Sequence, residues 1–576
     1  MLSNSVRPVP TLRAPRARFV NGLCLGLAPV VAVLAAALLG AVPAQLAAAD
    51  GGDGFTPIFD GKSLPASGWD GDPRFWRVED GAITAESTPE NPAKQNTFII
   101  WRQGEVDDFD LRLEFRISSG NSGIQFRSWE EAEKWSVGGY QADIEVGTKS
   151  TGSLFGERGG DRLAKALEGT PGSPATPRPG AHRGILAACG ERALVGKDHK
   201  RHAEGKLGDP EDLLSSFKEK DWNDYRILAR GNRIALEVNG RATAEFTDGD
   251  PAMARRSGVL ALQLHSGRPM KVQFRNIRMK RLKLEGLKKI VFIAGRGSHG
   301  SDSHAHNPGC RYLAKCLNDA LPDVLACTYR DGWPSDPTAL DNADSIIIYC
   351  DGGDGHVILP HLEAVGKLMR QGVGLANLHY AVEVPKGKPG DLILEWTGGY
   401  FETYWSVNPF WIGKFKKFVE HPITRGVKPF TVEDEWYYHM RFPDGMKDVT
   451  AVLTDVPPDE TRNGPDGPHS GNPTVRARKG MEEHVGWAIQ RPDGGRGFGF
   501  TGGHIHWNWG NDGFRTLVLN GIAWTARVEV PPGGVPSKTP TVEELESFLD
   551  SPLPADFDRG RVRKLLEAWK AEPAAK

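Results

Sequence analysis

Two short segments carry the polar groups best suited to chemistry: Asn121-Ser-Gly-Ile-Gln-Phe-Arg127 and Gly138-Gly-Tyr-Gln-Ala-Asp-Ile-Glu145. Amides, acids and a guanidinium fall at every second place, where an ordinary solvated strand would show interchangeable polar residues. Side chains of a strand point to opposite faces in turn. Gln125 and Arg127 therefore share one face, and Gln141, Asp143 and Glu145 share one face of the second strand. If these faces coincide, they form a groove that binds hydroxyls through its amides and moves protons through its carboxylates. Gly138-Gly139 lets a ligand approach the backbone, while Trp129, Trp135 and Tyr140 offer flat surfaces on which sugar rings stack. A merely wet sheet face shows the same alternation and is the competing reading.

Histidines form a second set. Twelve of the sixteen lie between His299 and His506. His299 follows the apolar run Lys289–Ala294 and Asp351 follows Ser345–Cys350; His379 ends Gly372–Leu378, and His504 and His506 follow Gly497–Thr501. If these runs are parallel strands, all of their carboxyl ends face one side, where open α/β sheets bind ligands. At least His299, His379 and His504 should then surround one pocket. Neutral imidazoles with a carboxylate suit zinc or another divalent transition ion; they equally suit a sugar held by hydrogen bonds, and both readings stay open. His356, His361, His421, His469 and His484 read as histidines satisfied by local backbone. The loop Gly295-Arg-Gly-Ser-His-Gly300 has the look of a dinucleotide loop, which is set aside because an exported protein rarely meets free NAD.

The elements that must position these groups change character along the chain. Asp110–Ile117, Arg233–Val238, Arg241–Phe246 and Lys271–Met279 alternate with period two, and Asn239-Gly240 between two of them is a strong hairpin signal. Strands without helices between them predict an antiparallel β-sandwich over 54–283. Residues 159–220, rich in proline and glycine near 169–180, read as a surface insertion. From Lys289 onward, apolar runs alternate with helical patterns at Cys310–Ala320 and Ile358–Gln371, and the series ends in a strand at Gly497–Thr501 and a helix at Asp512–Arg527. That is the pattern of an α/β domain with a parallel sheet, over 288–530. Residues 531–576 read as a linker and a helical tail opened by Thr541, with Glu544 placed for a capping box.

At 576 residues the chain is too long for one core. Lys and Arg total 71 against 73 Asp and Glu, a balance that gives no reason to expect a nucleic-acid partner. Residues 1–49 hold Arg7, Arg13, Arg16 and Arg18, then a charge-free run from Phe19 to Ala49, which reads as an export signal. The run exceeds the roughly 7–15 apolar residues of a signal core, so cleavage and retention as a membrane anchor both stay open; the expected address is periplasmic or extracellular. No later segment approaches the roughly 18 apolar residues of a span, so the mature body is expected not to cross a membrane. Five cysteines remain beyond Cys24, without a CxxC pair, and read as buried thiols.

Phe55–Lys62, Phe75–Ala82, Asn121–Arg127, Gly139–Ile144, Thr151–Phe155, Trp222–Tyr225 and Leu262-Gln-Leu-His265 occur in an order that resembles the 3-keto-disaccharide hydrolase family. The resemblance spans about 230 residues; it implies a concanavalin-like jelly roll and cleavage of glycosides already oxidised to a ketone at C3, by lyase and hydratase steps. Gly372–Tyr380, Glu435-Trp-Tyr-Tyr-His439 and Thr501–Trp509 resemble the ThuA (trehalose utilisation) family, similar in fold to class I glutamine amidotransferases. His379 stands about where an amidotransferase carries its cysteine, which removes thiol chemistry. The resemblance adds His439 to a second-domain pocket of His299, Asp351, His379, His504 and His506.

A C3 ketone acidifies the C2 proton, so cleavage needs a carboxylate base, a stabiliser for the enolate and an acid for the C1 leaving group. Asp143 or Glu145 is the candidate base, Arg127 or His265 the stabiliser and Glu157 the acid; Gln125, Tyr140 and Gln141 are candidates to bind substrate. Retaining hydrolysis needs a pair of carboxyls roughly 5–5.5 Å apart, and Gln141 stands where the family-16 glucanase pattern begins with a glutamate. The alternatives are a lectin-like carbohydrate-binding protein and an ordinary exported glycoside hydrolase.

Overall fold

The computed structural model describes residues 53–147, 149–159, 182–300 and 302–571. The leader reading of residues 1–49 and the proline-rich stretch 169–180 lie outside them. Among the described residues no helix is long and apolar enough to cross a membrane.

Residues 56–281 form two sheets. The larger, of ten strands, runs 201–206, 191–195, 241–248, 233–238, 223–230, 109–119, 270–281, 82–87, 76–79, with Thr56–Pro57 also paired to Met270–Arg281. The smaller, of seven, runs 182–187, 154–159, 137–145, 121–130, 258–264, 97–106, 69–70. Leu111, Leu113, Phe115 and Ile117 share one core with Ile124, Phe126, Leu260 and Leu262 of the opposite sheet, as the alternation predicts. Burial of each such side chain contributes about 1.5–3 kcal/mol. The hairpin turns at Asn239 (φ 46°) and Gly240 (φ 76°), the two positive φ values that a type I′ turn requires.

The insertion reading for 159–220 is corrected over its described part. His182–Ala187 adds an edge to the seven-stranded sheet, and Glu191–Val195 pairs in parallel with Arg241–Asp248. Ala193 and Val195 bury themselves in the core, an apolar face too short to stand out beside the charged residues around it.

The α/β sheet runs 324–329, 288–294, 345–349, 374–378, 496–500, 483–490, 449–455. Its first five strands are parallel, and 483–490 and 449–455 are added by antiparallel pairing, each to its neighbour. Ile290, Phe292 and Ala294 pack in one core with helices His306–Ala320 and Asp512–Thr525, while Val291 and Ile293 pack in another with Leu362–Arg370 and Lys388–Thr397. Strands covered on both faces read as continuous apolar runs. The chain leaves 288–294 for 324–329 on one side and returns to 345–349 on the other, so a topological switch lies between 288–294 and 345–349. Gly295–Gly300 does have the G-x-G-x-x-G spacing, but the next helix starts only at His306, too late for its N-terminus to cradle a pyrophosphate as the fingerprint requires.

Arg281, at the end of the sandwich, pairs with Asp107 at 3.0 Å and Asp336 at 2.8 Å, and Lys289 of the first parallel strand reaches Asp107 at 2.6 Å. The tail packs on the α/β core through Val542, Leu545, Val562 and Leu566. Thr541 accepts a bond from the Glu544 backbone as the cap anticipates.

Candidate functional site

Strands 121–130 and 137–145 do place a polar row on the outer face of the smaller sheet. A cavity of about 420 Å³ is lined by Gln141, Asp143, Glu157, Gln263 and His265, with Asn96, Asn121 and Lys149 at its edges. A directed chain of hydrogen bonds leads into it. Ser128 Oγ donates to Gln125 Oε1 at 2.7 Å, Gln125 Nε2 to Gln141 Oε1 at 2.8 Å, and Gln141 Nε2 to Asp143 Oδ1 at 2.9 Å. The relay orients the Asp143 carboxyl. Burial pushes its pKa up to about 7; the Gln141 bond opposes this, and the charges of Glu157 and Glu145 reinforce it. A carboxyl poised near neutrality suits proton transfer. Asn96 Nδ2 donates to Glu157 Oε1 at 3.3 Å. His265 Nδ1 donates to the Ser266 carbonyl at 2.7 Å, which leaves Nε2 as the acceptor in the neutral ring. Gln263 Nε2 is buried without a partner among the described residues, a donor left for a ligand.

The structure moves four sequence-predicted residues elsewhere. Arg127 does not share the face of Gln125: it sits at φ 47° in a β-bulge between the pairs Phe126–Tyr140 and Trp129–Gly138. The extra residue re-aims the guanidinium inward, onto Asp108 at 2.7 Å and the carbonyls of Asp107 and Gly231. Tyr140 faces the core, stacked on Phe126, and its hydroxyl donates to Asp248 at 2.7 Å. His439 lies apart from the other predicted histidines, stacked on Trp405 at 4.5 Å and 3.1 Å from Thr474 Oγ1. His506 turns to the tail and donates to the Leu545 carbonyl at 3.1 Å. Gln125 stands one layer behind the cavity, and Glu145 lies outside its lining, with Oε2 unpaired among the described residues.

In the α/β domain His299, Asp351, His379 and His504 do come together, around a residue that the sequence reading passed over, His304. Its Nδ1 lies 2.9 Å from Asp351 Oδ1 and its Nε2 3.1 Å from His379 Nε2. Ring centroids separate His304 from His299 by 3.9 Å, from His504 by 4.6 Å and from His379 by 4.9 Å. His379 Nδ1 faces the Thr501 carbonyl at 2.8 Å. Glu435 Oε2 approaches His504 Nδ1 at 3.0 Å and His379 Nε2 at 3.6 Å, and accepts from Tyr437 at 3.2 Å. Asp434 fixes the following loop by accepting from Gly503 N and His504 N at 2.7 and 3.0 Å. Burial lowers the pKa of His304 and lowers that of His379 well below the usual imidazole value, so both rings favour the neutral form. His304, His379, Glu435 and His504 each offer one atom within 4.8 Å of the others, a set able to hold a metal ion.

Residues 54–280 match the model of the 3-keto-alpha-glucoside-1,2-lyase-like domain, and residues 296–525 match that of the ThuA domain, trehalose utilisation. The chain joins a 3-keto-disaccharide hydrolase domain to a ThuA domain. A comparison with curated proteins found no match. Among solved structures, a proposed glycosyl hydrolase of Parabacteroides distasonis ATCC 8503 is 17% identical, covers 40% of this chain and 95% of its own, and has a TM-score of 0.25. The carbohydrate-binding module CBM66 of Bacillus subtilis is 14% identical over 37% of this chain and 95% of its own, with a TM-score of 0.23. A proposed ThuA-like protein of Bacteroides uniformis ATCC 8492 is 16% identical over 43% and 94%, with a TM-score of 0.31.

In the hydrolase domain, Gln263 was legible: the alternation of Leu262-Gln-Leu-His265 puts it on the same face as His265. Asn121 was legible in the same way, since it opens strand 121–130 two steps of alternation before Gln125, whereas Asn96 lies just before strand 97–106, where no alternation reaches it. For the ThuA domain the His-x-His spacing of His304 and His306 in the loop after the first parallel strand was the available clue.

Proposed function

We propose that the hydrolase domain cleaves 3-keto-glycosides by proton abstraction at C2, and that the protein acts after export. The observation that carries the reading is Asp143, a carboxyl raised to about 7 and held by an amide relay beside Glu157 and His265. Ionised Asp143 takes the C2 proton. The C–H electron pair forms the enolate of the C3 ketone, and Gln263, through its unpaired Nε2, and His265 supply hydrogen-bonding surface at the cavity wall. Collapse of the enolate forms the C1–C2 double bond and expels the C1 oxygen, which Glu157 protonates as it leaves. Water added back across that bond gives the hydrated product. Arg127, committed to Asp108, has no part in this step.

The ThuA domain is proposed to share the layer order of class I glutamine amidotransferases, with His379 in place of the thiol nucleophile. The test is an assay of the purified chain on matched glycosides with and without the C3 ketone. Turnover confined to the oxidised sugar is expected. Comparable rates on the unoxidised glycoside would sink the reading, and binding without turnover of either would replace it with a carbohydrate-binding function.

A further inference from the structure

The lone pairs of the histidine cluster pose a chemical problem. His379 Nδ1 faces a carbonyl, which only accepts, so Nδ1 carries the hydrogen and Nε2 of the neutral ring carries a lone pair. His304 Nδ1 faces the Asp351 carboxylate, so its Nε2 is likewise a lone pair. These two nitrogens point at each other across 3.1 Å, in a region where both residues are almost fully buried. Glu435 Oε2 adds a negative charge 3.6 Å from His379 Nε2 and 3.0 Å from His504 Nδ1. The Tyr437 hydroxyl, 3.2 Å from Glu435 Oε2 and 3.3 Å from His379 Nε2, has one hydrogen and can serve only one of them; the two facing imidazole lone pairs repel one another unless a cation lies between them.

The spacing suits a metal. Ligands about 2.0–2.1 Å from a tetrahedral zinc lie roughly 3.3 Å apart; His379 Nε2 stands 3.1 Å from His304 Nε2 and 3.6 Å from Glu435 Oε2, and one ligand atom from each of the four residues lies within 4.8 Å of the others. The surroundings are those of a metal centre too. Asp351 behind His304 and the Thr501 carbonyl behind His379 fix tautomer and ring direction, as outer-shell groups do for metal-bound histidines. His304 and His379 both sit at positive φ, 46° and 52°, a cost that persists only where packing demands that placement. His304 and Asp351 follow the two strands that flank the switch point of the sheet, where such folds bind ligands.

We propose that the ThuA domain holds one divalent transition ion, zinc foremost, on His304 Nε2, His379 Nε2, one ring nitrogen of His504 and the Glu435 carboxylate, with His299 and Asp351 outside the inner set. Three imidazoles and a carboxylate form a nitrogen-rich set that favours zinc over magnesium or calcium.

The full chain, stripped with chelator and dialysed, would be titrated with Zn²⁺ and, separately, with Mg²⁺. One tight equivalent of Zn²⁺ and no tight Mg²⁺ are expected. His304→Ala and His379→Ala should abolish uptake, Glu435→Gln should weaken it at least about tenfold, Asp351→Asn should weaken it about 10–100-fold, and His439→Ala should leave it unchanged. Co²⁺ absorption of the unaltered chain gives a reading independent of whether variants fold: the intense bands of a four- or five-coordinate centre are expected. The proposal is overturned by the absence of stoichiometric Zn²⁺ uptake, by uptake equally tight in the four inner and outer variants, or by a Co²⁺ spectrum of a six-coordinate, water-like ion. A shared proton in place of the metal would give the first of these results.

Discussion

The cavity of the hydrolase domain and the histidine cluster of the ThuA domain both gather polar side chains away from water, but they leave opposite needs unmet. In the sandwich, amides donate along a relay that ends on a carboxyl, and burial makes that carboxyl reluctant to ionise. In the ThuA domain, buried neutral imidazoles and a carboxylate turn acceptors toward one another. The first site readily keeps a proton on its carboxyl, whereas the second is short of a cation. The difference follows from the scaffold. A pleated sheet lines up side chains at fixed spacing on a shared face, whereas loops beyond parallel strands bring groups from distant segments to one point. Two chemistries in one chain are therefore to be separated by experiments that disturb each site alone.

The sharpest break would come from Asp143→Asn. It should lower turnover of a 3-keto-glycoside by roughly 10²–10⁴-fold without affecting metal uptake by the ThuA domain; a parallel loss at both sites would mean that they are not independent. In the unaltered chain kcat/KM should rise about tenfold per pH unit on approaching about 7 from below, because the base acts ionised. Arg127→Met tests the opposite assignment. Removal of one partner of a buried ion pair costs about 3–5 kcal/mol, so chemical denaturation should show a large loss of stability, while folded protein keeps the KM of the parent.

A smaller effect sharpens the electrostatic half of the comparison. The Asp143 pKa is raised from 3.8 to about 7 on folding, so its neutral form favours the folded state fully below the unfolded value, and that contribution is lost as pH rises through about 7. Asp143→Asn should thus leave stability unchanged near pH 4 and raise it at pH 8, by up to about 4 kcal/mol. Equal melting temperatures at both pH values would show that the carboxyl is not perturbed. The smallest effect is expected from His439→Gln, which loses a ring contact with Trp405 and one hydrogen bond. A cost of about 0.5–1.5 kcal/mol with turnover and metal uptake intact would set it apart from the histidines of the cluster.

The sequence by itself determined the succession of elements, because period-two alternation and continuous apolar runs are local consequences of which faces a strand buries. Hence Leu111, Leu113, Phe115 and Ile117 were assigned to a core, Asn239-Gly240 to a turn, and Gln141 and Asp143 to one polar face. The order of strands and loops likewise drew His299, Asp351, His379 and His504 to one edge of the α/β sheet. What only the tertiary structure decided was everything that depends on a single inserted residue or on distant contacts. One bulge residue turned Arg127 from the groove into an ion pair, since a shift of one place in a strand exchanges its faces. Tyr140 went to the core for the complementary reason: it occupies the strand's other face, where Phe126 awaits it. His304 and Glu435 joined the cluster, and His439 and His506 left it, because loop paths and strand ends are set by packing against segments tens to hundreds of residues away, to which no local periodicity refers.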